Sequence, residues 1–176
     1  SQSQRATPYL GQDDAPTKVS KLFTAAPTGI SWADAGFVQP FLNRLNTTLT
    51  FGATEYVGRR YSERSTNTGA GGRTSTNVIL STTRGELVIA PASGKIDLAE
   101  DLGGDYGTTL VIDHGAGVRT IFYGLSDIDI KAGQQVKQGQ TLATCGKTTV
   151  VEMRIGTVPI DPIAVWRGQC NGLKYY

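Results

Sequence analysis

From about Asn77 to Ile155 the chain is a succession of short runs rich in β-branched and aromatic residues: NVILST, ELVIAPA, GKIDLAE, TTLVIDH, VRTIFYGL, QTLATC and TVVEMRI. They recur at spacings of roughly 8–12 residues with glycine-containing turns between them, which is the pattern of an antiparallel β sandwich or barrel. Nothing between positions 70 and 160 carries a helical period. The expected fold class is therefore all-β, an antiparallel sandwich or barrel. At 176 residues the chain makes one domain with or without an extension, and it can bury about two thirds of its unfolded surface without needing a metal to fold.

The N-terminal part reads differently. Residues 1–20 are polar, contain Pro8 and Pro16, and are expected to form a loose arm. Residues 31–47 carry Phe37, Val38, Phe41, Leu42 and Leu45 at spacings of three and four, which predicts a short helix with one apolar face. Asp34 is its candidate cap; Pro40 is tolerable only in a first turn, which would move the start to about Gln39. TLTFGATEYVG then reads as a strand or hairpin, and SERSTNTGAGGRTS as a loop. The expected organisation is an arm with a short α-helix over 1–47 and a β domain over 48–176.

The formal net charge of +2 is too weak to argue for nucleic acid or an anionic membrane surface. Only 18% of residues are charged, a surface that suits a secreted or periplasmic protein. No apolar run reaches the roughly 20 residues of a membrane span. The opening SQSQRATPYLGQDDAPT has no signal-peptide pattern and reads as a mature or trimmed N-terminus. Cys145 and Cys170 are the two cysteines. In an extracytoplasmic chain such a pair is expected to form a disulfide, the alternative being two buried thiols.

IKAGQQVKQGQTLAT places Gly133 and Gly139 at successive tight β turns, where glycine supplies the backbone conformation needed. Biotinyl and lipoyl carrier domains use the same phrase, but they need an exposed lysine flanked by methionines. Met153 is the only methionine here.

Taken in order, three phrases resemble the lysostaphin-type (LytM-like) zinc peptidase domain, of the duplicated-hybrid-motif type, which cuts peptide cross-links in bacterial cell walls. They are GGRTSTNVILSTTRGELVIAPASGKI, GGDYGTTLVIDHGAGVRTIFYGLSDIDIKAGQQVKQGQTLATCG and VEMRIGTVPIDP. The resemblance covers about residues 50–165. It implies positions for the site, and each holds the wrong residue. The first histidine ligand falls on Ser75, the aspartate ligand on Ile79 and the catalytic histidine on Gly124. The histidine pair of the last strand, counted back from Glu152, falls on Thr148 and Val150. The loop between Gly146 and Glu152 is also shorter than the family's.

The composition points the same way. A hydrolytic zinc site needs three donors from His, Asp, Glu and Cys plus an open position for water. The chain has one histidine, His114, in IDHG, where a structural role is expected. A serine or threonine nucleophile at Ser75, Thr148 or Thr149 would lack a histidine base.

These readings imply no catalytic residue, no metal and no cofactor. The resemblance extends to the non-catalytic activators of cell-wall amidases, whose metal-free groove binds a regulatory segment. The expected function is thus a domain that binds a protein partner through such a groove and regulates a peptidoglycan hydrolase. The expected partner is an amidase-like hydrolase or a subunit of an envelope complex; no nucleic acid is expected. The alternatives are a scaffold subunit of an envelope-spanning secretion, pilus, sporulation or cell-shape assembly, or a peptidoglycan-binding module. The groove floor would hold Ser75, Ile79, Tyr123, Gly124 and Val150, flanked by Arg73 and Arg154. Residues 31–47 would either fill the groove or pack on the back; the sequence leaves both open.

Overall fold

The computed structural model describes residues 15–23, 31–32, 36–41, 59–60, 63–64, 78–160, 162–166 and 173–174. Its elements in chain order are α1 (Thr17–Ser20), β1 (Ser31–Trp32), β2 (Arg59–Arg60), β3 (Glu63–Arg64), β4 (Val78–Ser81), β5 (Leu87–Ile89), β6 (Gly94–Asp101), β7 (Thr108–Gly115), β8 (Val118–Ile128), β9 (Gln135–Val136), β10 (Thr141–Ile155), β11 (Val158–Ile160), α2 (Pro162–Trp166) and β12 (Leu173–Lys174). The main sheet is ordered β11-β10-β8-β7-β6-β9, and every pairing in it is antiparallel. The antiparallel β architecture is the expected one, and the sheet is open rather than closed into a barrel.

Strand β10 is the spine. One of its edges pairs with β8, and the other pairs in turn with β5, β4 and β11. Its neighbours β7 and β8 carry unbroken apolar runs, LVI at 110–112 and TIFY at 120–123. Alternate residues of such a run point to opposite faces, so both faces of the sheet must be covered. One face buries Phe122, Leu110, Ile112 and Val151 in the main core with Leu80, Val88 and Phe41. The other buries Ile121, Tyr123, Val111 and Val150 in a second cluster with Leu98 and Val19.

Two N-terminal expectations are corrected. Residues 36–41 are extended, not helical. Val38 N–H donates to Pro91 O at 2.9 Å, Ile89 N–H donates to Pro40 O at 2.7 Å, and Phe41 bridges Val88. Gly36 takes a positive φ of 63°, and a spacing of four fits a strand face as well as a helix face, so Phe37 and Phe41 are buried without a helix. Pro40, lacking an N–H, uses only its carbonyl. The remaining residues of the expected helix, 33–35 and 42–47, lie outside the described set. Residues 15–20 are not a loose arm. Pro16 precedes α1 with its carbonyl accepting from Val19 and Ser20 N–H at 2.9 and 2.8 Å, and Val19 is fully buried. That burial contributes about 1.5–3 kcal/mol.

Phe41 meets Phe122 and Trp166 edge-on, with ring centroids 6.4 and 6.2 Å apart. Phe41→Ala is expected to cost about 3–5 kcal/mol in urea unfolding. A loss below about 1 kcal/mol would contradict the placement of residues 36–41 in the core.

Candidate functional site

The positions singled out from the sequence meet on three adjacent strands. Ile79 of β4 is in register with Val150 of β10, and Val150 is in register with Tyr123 of β8. Three cross-strand neighbours thus stand in one row. Isoleucine and valine carry no donor atom for a metal, and Val150 and Tyr123 are fully buried.

Next to the row, β10 bulges. Cys145 pairs with Leu125 and Val150 with Tyr123, so residues 146–149 bow out opposite Gly124. Gly124 has φ 77°, and a Cβ built there would collide with the Thr148 carbonyl oxygen. A Cβ at Gly146 would in turn strike the Gly124 carbonyl. The two strands close on each other here because neither glycine has a side chain. The bulge is tied to the end of β4: Thr82 donates from its backbone to Lys147 O at 2.9 Å, and its hydroxyl donates to Gly146 O at 2.6 Å. The short segment between Gly146 and Glu152 therefore forms a tight bulge in a continuous strand.

Two residues on, Glu152 and Arg154 form a buried pair. Arg154 Nε donates to Glu152 Oε2 at 2.6 Å, and Arg154 Nη1 donates to Thr157 O at 2.8 Å. Burial raises the Glu152 carboxyl above its usual range, while Arg154 opposes that rise. The Tyr123 phenol is pushed well above its usual range, first by burial and then by the Glu152 charge. The two buried groups also interact directly, and that side-chain contact raises the phenol and lowers the carboxyl.

The face carrying this site is covered. Val19 sits in the cluster of Tyr123, Val150, Ile121, Val111 and Leu98, with Ala15, Leu22 and Phe23 packed at its edge. The Arg154 guanidinium lies over the Phe23 ring, 4.7 Å from its centroid. Lys18 Nζ meets Glu100 Oε2 at 2.6 Å. Residues 15–23 are thus the N-terminal segment that covers this face, while residues 36–41 lie along β5. Arg154 is committed to Glu152, Thr157 and Phe23 and does not stand open to a partner.

The zinc that this fold class implies does not fit these residues. Among the described residues no three His, Cys, Asp or Glu side chains converge. Glu152, two residues beyond Val150 in β10, has one oxygen held by Arg154. His114 is engaged elsewhere. Its Nδ1–H donates to Ser93 O at 2.9 Å. Its Nε2 therefore accepts from the Thr120 hydroxyl at 2.8 Å, and Phe37 packs edge-on 4.9 Å away. This is the structural role expected of it.

Ser75, Arg73 and Cys170 lie outside the described residues. Cys145 is buried in β10, and its backbone N–H donates to Glu86 O at 2.8 Å. Sequence reasoning missed Val19, Leu22 and Phe23. Their spacing of three and four after Pro16 was a helical-face signal, masked by the polar residues around them.

Residues 73–162 match the family model described as Peptidase family M23. The chain belongs to that family. An uncharacterized metalloprotease of Haemophilus influenzae is 32% identical over 95 residues, 50% of this chain and 20% of that protein. The chain thus spans a small part of that relative's length. The catalytic domain of lysostaphin from Staphylococcus simulans superposes with a TM-score of 0.53 at 22% identity, covering 64% of this chain and 90% of that one. A chain in the crystal structure of the SpoIIIAH and SpoIIQ complex superposes with a TM-score of 0.54 at 18% identity, covering 73% and 99%. These structural likenesses establish the lysostaphin-like fold.

Burial lowers the His114 pKa from 6.5 to about 4, against opposing contributions from the Ser93 hydrogen bond and Asp113. The neutral ring is favoured in the folded state. Its contribution to stability is complete above about pH 6.5 and is lost as pH falls towards about 4. Denaturant unfolding across that window should show the loss, and His114→Gln should remove that component. Identical pH profiles for the two chains would contradict the half-buried neutral ring.

Proposed function

We propose that this chain is a non-catalytic M23 domain that binds a protein partner and regulates a peptidoglycan hydrolase in the bacterial cell envelope, outside the cytoplasm. The observation that carries this reading is the Ile79–Val150–Tyr123 row with Gly124 beside it. On the family resemblance Ile79, Gly124 and Val150 fall on ligand and catalytic positions, and Tyr123 on the groove floor. Here they hold two side chains without donor atoms, a buried phenol, and a glycine whose surroundings exclude a Cβ. Ser75 and Thr148 complete the set of replaced positions, and no catalytic or metal residue is assigned. Cys145 and Cys170 are proposed to be paired, consistent with an oxidising compartment.

The test is release of label from peptidoglycan by this chain alone and with a purified cell-wall amidase. No release alone, and increased release with the amidase at near-stoichiometric amounts, is the expected result. Release by the chain alone would overturn the reading. A second reading, a scaffold subunit of an envelope assembly, draws on the shared fold with a chain of the SpoIIIAH and SpoIIQ complex. It predicts co-purification with an assembly and unchanged hydrolysis.

Gly124→His should not create activity. The positive φ alone should cost about 1–3 kcal/mol, and the collision with Thr148 adds to it. The expected outcome is a lower unfolding midpoint with no release of label; gain of cleavage would contradict the assignment.

A further inference from the structure

Strand β6 runs from Gly94 to Asp101, but its outer neighbour covers only its start. β9 pairs with Gly94 and Lys95. The turn before β9 then serves Ile96, whose N–H donates to Gln134 O at 2.9 Å and whose carbonyl accepts from Gly133 N–H at 2.7 Å. Beyond Ile96, no strand among the described residues pairs with that side of β6. The backbone groups left there follow from the register on the inner side. Leu98, Ala99, Glu100 and Asp101 face Val111, Leu110, Thr109 and Thr108 of β7, and Leu102 N–H donates to Gly107 O at 2.9 Å. In an antiparallel pair such bonds come from alternate residues. Leu102, Glu100 and Leu98 therefore bond to β7, while Ala99 and Asp101 turn their N–H and C=O outward.

This edge has a distinct charge. DLAEDLGGD, residues 97–105, carries four carboxylates and no basic residue. Asp97 is used by Arg119, whose Nε donates to it at 2.9 Å. Glu100, Asp101 and Asp105 are exposed. The rim already takes one ammonium group, with Lys18 Nζ 2.6 Å from Glu100 Oε2. Charges on an edge strand discourage pairing with an identical edge. Two copies of β6 laid together would oppose carboxylates to carboxylates, which is unfavourable. The same charges favour a strand of opposite sign. The edge is also separate from the Ile79–Val150–Tyr123 row: β7 stands between β6 and β8, a spacing of about 10 Å.

We propose that the outer edge of β6 over residues 97–101 receives an extended, basic segment of a partner protein as an added strand. Its backbone bonds to Ala99 and Asp101, the mode in which main-chain bonds supply affinity and alternate side chains supply selectivity. On the Glu100 face that segment carries Lys or Arg. On the Ala99 face it carries apolar residues, which extend the main core against which Ala99 already packs. This goes beyond the reading above and does not depend on the loss of catalysis.

The test uses the full chain and a fluorescent synthetic peptide of alternating Lys and Val. Saturable binding is expected, with none for a peptide of alternating Glu and Val. Ala99→Pro removes an outward N–H and leaves the bonds of Leu98 and Glu100 to β7 in place, as an edge strand allows. It keeps every charge, yet should weaken binding at least about tenfold. Unchanged affinity in that variant would mean attraction between charges alone and would overturn the proposal, as would no binding to the unaltered chain. Hydrogen exchange on the unaltered chain keeps the test decisive if the variant fails to fold. Added Lys-Val peptide should slow exchange at the amides of Ala99 and Asp101 and leave those of Leu98 and Glu100 as they were. No change at Ala99 and Asp101 would overturn the proposal. So would dimerisation of the unaltered chain that Ala99→Pro abolishes, since a second copy would then be the occupant. The two failures are separable: absent peptide binding removes the edge site alone, whereas cleavage of peptidoglycan removes the proposed function and leaves the edge site standing.

Discussion

Strand β10 is buried along almost its whole length from Leu142 to Ile155, and β8 is buried continuously from Val118 to Tyr123. Strands apolar on both faces need cover on both. On one side the cover is the main core, completed by Phe41 and Trp166. On the other it is the N-terminal turn at 15–23, which puts Val19 onto Tyr123 and Val150. The placement of each outlying segment follows from this demand. Residues 36–41 add backbone to the β5 edge, and residues 15–23 add side chains to the opposite face.

The same two strands decide the chemistry of the site. Where β8 and β10 approach at Gly124 and Gly146, a backbone carbonyl occupies the space a side chain would need. Where they diverge, residues 146–149 bulge and are held by Thr82. Polar side chains are spent on structure: Glu152 beside the row on Arg154, and His114 elsewhere in β7 on Ser93 and Thr120.

Much of the fold was legible because its signals are local. Glycine-ended β runs, the paired turns at Gly133 and Gly139, and the order of the phrases each constrain their own neighbourhood. The gathering of Ile79, Tyr123, Gly124 and Val150 was legible through the family resemblance, and the strand register puts them together. The N-terminal part was misread because its structure is set by distant partners. A spacing of four suits helix and strand alike, and residues 36–41 are extended because β5 presents an edge to them. The turn at Val19 is too short to hold itself as a helix and takes its form from the sheet below. The continuous apolar runs at 110–112 and 120–123 did announce a second covered face; which segment covers it is a tertiary fact.

The central claim is that the described residues on this face of an M23 domain offer no place for a dication. A ligand that binds the folded state raises its unfolding midpoint in proportion to the logarithm of ligand concentration. The direct measurement is thermal unfolding of the full chain in a zinc titration against a chelator control. The account predicts a midpoint unchanged across the series. A midpoint that climbs with zinc and falls back with chelator would show a metal site among these strands and contradict it.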